Sequence, residues 1–175
     1  MIKDIKLDIQ EGTLVAIIGD TGAGKSTVMN CLNGSDTGGM EGSVKYKGIN
    51  LIKKFSQLKW IIGSVPQKNI FNEEMTVEEQ LMMEASRMLP RDTSKTEIKD
   101  IVNKTLKQLG IENVRNNQIA KCSGGEQRRV SIGMQLVADK QFICMDEPEA
   151  GLDPRNKRNL FETLRNLAHL SLIHI

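Results

Sequence analysis

The chain has 175 residues, with 24 Lys and Arg against 22 Asp and Glu and a formal net charge of +2. A chain of this length forms one domain, or one domain with a small inserted lobe, and it is long enough to bury a core. The near balance of charge, without a basic tail or stripe, argues against nucleic acid as the main partner.

The cysteines and the apolar runs place the chain in a broad class. Cys31, Cys122 and Cys144 are odd in number and scattered, which favours free thiols in a reducing compartment over a disulfide framework. No run approaches the roughly 18 apolar residues of a membrane-spanning helix, and the chain does not open with a signal peptide. We therefore expect another chain or another segment to supply any contact with a membrane.

The N-terminal part predicts the beginning of an α/β unit. Residues 13–18, TLVAII, form an apolar run rich in β-branched residues that ends at Gly19, which predicts a parallel strand buried on both faces. A helix is predicted from about Lys25 to Asn33, and Gly34 is placed to end it. Strand, Gly-rich turn and helix in this order are typical of α/β proteins.

Two further strands are predicted before the middle of the chain. The stretch GSVKYKG, residues 42–48, alternates apolar and basic side chains between glycines, which is typical of a half-exposed antiparallel strand. The stretch WIIGSVPQ, residues 60–67, predicts another strand that is broken at Pro66.

Two amphipathic helices follow these strands. The first opens with a capping box from Thr76 to Glu79, and the second is stopped by Gly110. They predict a helical lobe at about residues 72–122, inserted into a core that consists of residues 1–71 and 123–175.

The C-terminal part predicts helix, strand and helix. A helix runs from Glu126, and the stretch FICMD, residues 142–146, is a doubly buried strand with a carboxylate at its exit. Asp153 and Pro154 open a last helix, with Asp as N-cap and Pro in the first helical position. The predicted fold is therefore α/β, with a mostly parallel core sheet, a small antiparallel β part and the inserted lobe.

The stretch GDTGAGKST fits the phosphate-loop pattern G-x-x-x-x-G-K-[ST] between a predicted strand and a predicted helix. Glycines let successive backbone N–H groups turn inward, and the helix N-terminus adds its dipole. Lys25 supplies a positive charge for the β- and γ-phosphates, and the hydroxyl of Ser26 can bind Mg²⁺. The predicted phosphate-binding residues are Gly19, Asp20, Thr21, Gly22, Ala23, Gly24, Lys25, Ser26 and Thr27.

Two adjacent carboxylates follow the strand of residues 142–145. Asp146 lies at the C-terminal end of this strand, where α/β sheets bind their ligands. Glu147 comes next and can act as a general base on a water molecule. In-line attack on a γ-phosphate needs this division of roles, with one carboxylate for the metal and another for the water.

The stretch KCSGGEQRR, residues 121–129, fits two interpretations. Ser123 and Glu126 are spaced as a capping box, so the stretch could simply begin a helix. A cap does not need Gly124 or Gly125, however, and these glycines leave a bare helix N-terminus that can approach a phosphate closely.

Together, these motifs resemble the ATP-binding cassette (ABC) family. The phosphate loop, the glutamine of SVPQ, the CSGGEQRR stretch, the acidic FICMDEP strand and the GLD after it occur in that family's order and spacing. The resemblance covers about residues 2–168, and the pairing of a phosphate loop with SGG[QE] is highly specific. It implies a P-loop NTPase fold, one ABC-type ATPase domain over residues 1–175, and ATP and Mg²⁺ as cofactors.

The resemblance also implies a role for individual residues. Gln67 would approach the metal, sense the membrane partner and act in catalysis together with Glu147, the catalytic base. Ser26 would bind Mg²⁺ directly, and Asp146 would anchor it through water. Asp153 would lie at a dimer interface as well as cap its helix.

The implied partners are a second ABC ATPase domain and a transmembrane transporter domain, with no nucleic acid. In the family, two cassettes pack head to tail, and each nucleotide lies between the phosphate loop of one and the SGG[QE] stretch of the other. The implied function is ATP binding and hydrolysis that powers a membrane transporter, from a peripheral position on the cytoplasmic face. Residues that would bind the nucleotide of the partner are Ser123, Gly124, Gly125 and Glu126.

Four features depart from the family pattern. No aromatic residue or histidine precedes Lys25, so we expect the chain to begin after the family's adenine-stacking aromatic. We expect the last few residues to be a truncation scar, and no switch histidine is assigned. Cys122 stands where Leu is usual, and Glu149 stands where Thr or Ser is usual.

Three functions are compared on this basis. A transporter ATPase is preferred, and the SGGE wording favours the subfamily of lipid, sterol and drug exporters. A soluble ABC-type ATPase that acts on DNA or ribosomes is the alternative, but the short interval of residues 68–121 suits a compact lobe and not a long coiled coil. A nucleotide-dependent interaction module without hydrolysis is the third, and the intact Glu147 argues against it.

Overall fold

The computed structural model describes residues 3–35, 38, 41–169 and 173–174, and within them it contains six α-helices and five β-strands. Two short 3-10 helices, Glu112–Val114 and Ile119–Lys121, lie between the fourth and fifth α-helices. The elements in chain order are α1 (Lys25–Asn33), β1 (Lys45–Tyr46), β2 (Ile49–Asn50), α2 (Phe55–Leu58), β3 (Ile62–Val65), α3 (Val77–Met88), α4 (Lys95–Leu109), α5 (Gly124–Val137), β4 (Phe142–Met145), α6 (Pro154–Ala168) and β5 (Ile173–His174).

The strands form two sheets. In the larger sheet the order is β3-β4-β5 and both pairings are parallel. All four residues of β4 are buried, because helices cover both faces of a parallel sheet. Strands β1 and β2 pair antiparallel, with Tyr46 opposite Ile49. The α/β fold class, with a parallel core sheet and a small antiparallel part, is confirmed.

Residues 13–18 do not form the predicted buried strand. Leu14 takes part in an isolated β-bridge, and the other five residues have no strand assignment. Val15 and Ile17 pack against the smaller apolar cluster of the protein, but Ile18 is 91% exposed. The prediction of a strand buried on both faces is therefore wrong for this segment.

The reason lies in the neighbours of the segment and not in its composition. Gly12, the residue directly before the segment, lies against the C-terminal end of α6. A Cβ added to Gly12 would be 3.3 Å from the carbonyl oxygen of Ala168. Strand β5 follows α6, is described only at Ile173–His174, and pairs with β4. A strand forms only where a neighbour supplies matching N–H and C=O groups along its length, and an apolar run cannot show that such a neighbour exists.

The helix boundaries follow the local signals closely. Helix α1 spans Lys25–Asn33 as predicted, and Gly34 ends it with a left-handed φ of 75°. Helix α3 has the predicted capping box, in which Thr76 and Glu79 each bond the backbone N–H of the other.

The later helices obey the same chemistry. Gly110 ends α4 in a left-handed conformation. Helix α5 begins at Gly124, two residues before the predicted start at Glu126, because Ser123 already acts as its N-cap. Asp153 caps α6 by accepting hydrogen bonds from two backbone N–H groups, and Pro154 follows it.

The main apolar cluster connects the predicted lobe to the sheet. It includes Leu81 of α3, Leu106 of α4, Ile132 of α5 and Ile143 of β4, all 0% exposed. The helices approach closely at Gly133, where an added Cβ would lie 3.0 Å from a methyl group of Leu109. Helix α5 thus packs on the lobe helices α3 and α4. The exact division between core and lobe at residues 122 and 123 stays a prediction.

All three cysteines are free, as the sequence predicts. Cys122 and Cys144 are buried and Cys31 is partly exposed. Burial raises the pKa of Cys144 to about 12, so its thiol stays protonated and unreactive near neutral pH. No helix in the described part of the chain combines the length and the apolar character that crossing a bilayer would need.

Candidate functional site

The phosphate loop folds around the ammonium group of Lys25. The Nζ atom of Lys25 donates hydrogen bonds to the carbonyl oxygens of Gly19, at 2.8 Å, and Asp20, at 2.9 Å. Gly22 and Gly24 adopt φ values of 84° and 93°, which residues with a Cβ rarely tolerate. The loop therefore has the glycines where its conformation requires them, and the positive charge lies across its opening.

Helix α1 begins without a side-chain cap. Its N-cap is Gly24, no side chain bonds its first N–H groups, and its first turn contains no acidic residue. By contrast, the helices α3, α4, α5 and α6 are each capped by a Thr, Ser or Asp side chain. Unpaired N–H groups and the helix dipole make such a bare start suitable for an anion. Exposed loop residues at this start are Asp20, Thr21, Gly22, Ala23, Ser26 and Thr27.

Two predicted catalytic residues meet at the carboxyl edge of the sheet. Because β3 and β4 are parallel with Val65 opposite Met145, the residues that follow both strands emerge side by side. There the side-chain amide of Gln67 donates a hydrogen bond of 2.8 Å to a carboxylate oxygen of Glu147. The two residues are 80 positions apart in the chain, and only the parallel pairing brings them together.

The backbone at this edge is strained at one residue. Glu147 has a φ of 43°, a left-handed conformation that is uncommon for a residue with a Cβ. Its side chain is exposed, so the conformation does not serve to bury it. Strained backbone of this kind often occurs at functional sites.

Asp146 lies directly beside this pair. Its backbone N–H donates to the carbonyl of Val65 at 3.0 Å, which continues the β3–β4 ladder by one residue, and its side chain is half-buried. The predicted metal ligands Ser26, Gln67 and Asp146 offer hydroxyl, amide and carboxylate oxygens. Magnesium prefers such ligands, and in phosphate sites it takes one or two carboxylates together with the phosphates. The donor set therefore fits Mg²⁺ held jointly with a nucleotide, and the described residues contain no cluster for a metal held by protein alone.

The SGGE stretch forms a complete capping box at the start of α5. The carboxylate of Glu126 accepts hydrogen bonds from the backbone N–H and the hydroxyl of Ser123, at 2.8 and 2.7 Å. A Cβ added at Gly124 would meet no atom within 4 Å, and one added at Gly125 would meet Asn156 at an ordinary 3.6 Å. Neither glycine has a left-handed φ, so no contact in the described part of the chain requires glycine at either position.

The predicted site residues form two separate groups. Within the described residues, no hydrogen bond or ion pair joins the phosphate loop to residues 123–126. The loop and the carboxyl edge share the sheet, because α1 packs on β3 and β4. The chain therefore presents two phosphate-suited helix starts that do not meet.

Arg128 is a residue that the sequence prediction missed. It lies on α5, is 4% exposed, and donates hydrogen bonds to the backbone carbonyls of Pro66 and Asp146. A signal was available, since Arg128 stands one helical turn before the apolar Ile132, on the side of α5 that faces the protein.

The chain is similar to known proteins over most of its length. Residues 2–150 match the family model described as ABC transporter. An ABC transporter ATP-binding/permease protein of Mycobacterium tuberculosis is 34% identical over 168 residues, which cover 96% of this chain and 19% of that protein. ABC transporter G family member 19 of Arabidopsis thaliana is 34% identical over 100% of this chain and 25% of its own length. The chain thus spans a quarter or less of these two curated relatives.

A solved structure shows the same architecture. The structure of cbiO1 from Clostridium perfringens, described as part of the ABC transporter complex cbiONQ, matches with a TM-score of 0.83 and 28% sequence identity. The match covers 97% of this chain and 69% of the cbiO1 chain. With the family model over most of its length, the chain belongs to the ABC transporter family and corresponds to the ATP-binding domain of that family.

Proposed function

We propose that the chain binds and hydrolyses ATP to power a membrane transporter. The observation that carries this proposal is the contact of Gln67 with Glu147 beside Asp146, at the carboxyl edge of the sheet. A base, a polar side chain that orients it and a carboxylate for a metal are the groups that hydrolysis of a nucleotide needs.

Nucleotide binding is assigned to the phosphate loop. The bare N-terminus of α1 and the inward N–H groups of the loop would bind the phosphate oxygens. The ammonium of Lys25, which bonds the loop carbonyls of Gly19 and Asp20, would turn to the β- and γ-phosphates. Ser26 and Asp146 would hold Mg²⁺, which would supply positive charge to neutralise the phosphate oxygens.

Hydrolysis is assigned to Glu147 and Gln67. Glu147 would accept a proton from a water molecule as its oxygen attacks the γ-phosphorus, while the bond to the β–γ bridging oxygen breaks. ADP and inorganic phosphate are the products. The hydrogen bond from Gln67 holds one oxygen of the Glu147 carboxylate, which would leave the second oxygen to accept the proton.

The second helix start is assigned to the nucleotide of a partner domain. No contact among the described residues requires glycine at positions 124 and 125, but a side chain at either position would obstruct an approaching phosphate. In a head-to-tail dimer, residues 123–126 of one copy would complete the site formed by the phosphate loop of the other. ATP would then join the two domains, and hydrolysis would release them.

Coupling to transport requires a transmembrane partner. The cbiO1 protein is part of a transporter complex, and the described residues of this chain include no helix suited to cross a bilayer. We therefore place the domain at the cytoplasmic face of a membrane, bound to a transmembrane domain. We include the exporter subfamily in this proposal, because the SGGE sequence favours it.

The direct test of nucleotide binding is Lys25→Ala. This variant should lose measurable ATP binding by titration calorimetry, because the loop loses the charge that faces the phosphates. Lys104→Ala, which removes an exposed lysine from α4, is the matched control and should bind ATP as the wild type does. An unchanged ATP affinity in Lys25→Ala would refute the phosphate-loop assignment.

A further inference from the structure

Arg128 connects three segments that are distant in sequence. Its guanidinium donates to the backbone carbonyls of Pro66 at 2.5 Å, Asp146 at 2.8 Å and Pro148 at 3.1 Å. Pro66 follows β3, and Asp146 and Pro148 flank Glu147 after β4. One side chain on α5 therefore holds both segments of the carboxyl edge.

Arg128 keeps its charge in a buried position. Arg128 is 4% exposed and forms no salt bridge within the part of the chain that the structure describes. Burial lowers its pKa, and the charges of Glu149 and Asp146 act in the opposite direction. An arginine stays protonated in proteins, so its full charge is buried and hydrogen-bonded chiefly to backbone carbonyls.

A second anchor lies one turn further along α5. The side-chain oxygen of Asn69 accepts a hydrogen bond from the hydroxyl of Ser131 at 2.9 Å and lies 3.4 Å from Arg128. The loop after β3 is thus attached to α5 at two consecutive positions of one helical face. Gln67 lies between the two attached residues, Pro66 and Asn69.

Helix α5 also carries the SGGE stretch at its N-terminus. Residues 123–126 and Arg128 belong to the first two turns of the same hydrogen-bonded helix, so they move together. Any shift of the helix start is passed through the guanidinium to the carbonyls on both sides of the Gln67–Glu147 contact.

We propose that Arg128 is a positioning residue. It holds the backbone beside Gln67 and beside Glu147, so that the geometry of the Gln67–Glu147 hydrogen bond follows the position of α5. This inference rests on the proposed function and adds a physical link between the SGGE stretch and the base. Arginine suits the task because its planar fork reaches several carbonyls at once, whereas a lysine ammonium is a point charge on a flexible stem.

The test uses the full 175-residue chain with Arg128→Gln and Arg128→Lys. The control is Lys140→Gln, which removes another buried cation. Lys140 is 5% exposed and donates to the carbonyl of Trp60 at 2.7 Å, at the opposite end of the sheet. Both side chains are buried and donate to backbone carbonyls. They differ in place, because Arg128 lies at the carboxyl edge of the sheet and Lys140 lies at the opposite end.

The first measurement is backbone hydrogen exchange, which needs no catalytic activity. In Arg128→Lys, the exchange rate of the backbone amides should rise by about tenfold in residues 67–69 and in residues 146, 147, 149 and 150 together, because each segment loses a hydrogen bond to a charged group. Lys140→Gln should leave both segments as in the wild type. Unchanged exchange in Arg128→Lys, a rise in only one segment, or an equal rise in the control would overturn the proposal.

The second measurement is steady-state ATP hydrolysis. Arg128→Gln should lower kcat by about 100-fold, as expected for a misplaced catalytic group, with KM changed by less than about threefold. Arg128→Lys should recover part of kcat. A wild type that does not hydrolyse ATP would refute the proposed function, and the exchange result would still decide this inference. If Arg128→Lys fails to fold, Arg128 is a structural residue and the proposal is overturned.

Discussion

At the scale of single residues, the carboxyl edge combines strain with a specific contact. Glu147 has a φ of 43° and accepts a hydrogen bond from Gln67. Strained conformations persist only where the surroundings hold them, and here Arg128 holds the carbonyls of Asp146 and Pro148 on both sides. The position of the base therefore depends on residues that do not touch the substrate.

A single glycine tests the role of the second helix start. Gly125→Asp should leave ATP binding unchanged and abolish hydrolysis, because a carboxylate at the start of α5 repels a phosphate held by a partner. The added Cβ meets Asn156 only at ordinary contact distance, 3.6 Å, so folding should be retained. ATP affinity by calorimetry and release of phosphate are the two measurements.

The control for this variant carries the same charge elsewhere. Asn113→Asp adds one negative charge at an exposed position of the 3-10 helix Glu112–Val114 and should hydrolyse ATP as the wild type does. Normal hydrolysis by Gly125→Asp would show that residues 123–126 only cap α5.

At the scale of elements, the helices differ in what their first turns bond. Helices α4 and α5 have equivalent capping boxes, from Ser94 to Glu97 and from Ser123 to Glu126. Helix α1 has none and leaves its first N–H groups open. Local chemistry thus separates helix starts that are closed by their own side chains from α1, whose first N–H groups have no side-chain partner.

The two equivalent capping boxes provide an internal comparison. Ser94→Ala and Ser123→Ala should each destabilise the protein by about 0.5–2 kcal/mol, as loss of an N-cap generally does. Only Ser123→Ala should also lower ATP hydrolysis, since its hydroxyl lies at the helix start assigned to the phosphate. Denaturant unfolding gives the stability, and initial rates of phosphate release give the activity.

The outcome distinguishes a cap from a binding surface. Equal loss of stability with equal hydrolysis in the two variants would assign Ser123 a structural role alone. A selective loss of hydrolysis would assign it both roles, as the bare glycines beside it suggest.

At the scale of the whole molecule, we propose that the two phosphate-suited helix starts serve two different nucleotides. The phosphate loop of residues 19–27 shares no described hydrogen bond or ion pair with residues 123–126. The proposed composite site would need a second domain, and it would bind ATP between the two.

A variant that binds ATP but hydrolyses it slowly should accumulate as the proposed dimer. Glu147→Gln should form dimers in the presence of ATP and Mg²⁺, because it keeps an amide in place of the carboxylate but has no base to start hydrolysis. Light scattering with and without ATP measures the mass. The double variant Lys25→Ala/Glu147→Gln is the control and should stay monomeric, and monomers of Glu147→Gln at saturating ATP would contradict the composite site.

Helix ends were predictable because their chemistry is local. Gly34 and Gly110 end α1 and α4 in left-handed conformations, and Thr76 and Asp153 cap α3 and α6, all as their side chains predict. Residues 13–18 were not predictable in the same way, because a strand needs a neighbour that the segment itself does not contain.

The sequence by itself determined the family, the α/β class, the phosphate loop and the identity of the candidate site residues, because these follow from residue types at short spacing. Only the tertiary structure decided that Gln67 bonds Glu147, that Ile18 is exposed, and that Arg128 ties both segments of the carboxyl edge to α5. These contacts join residues far apart in the chain, and they exist because parallel strands bring distant carboxyl ends to one edge, where a helix can reach both.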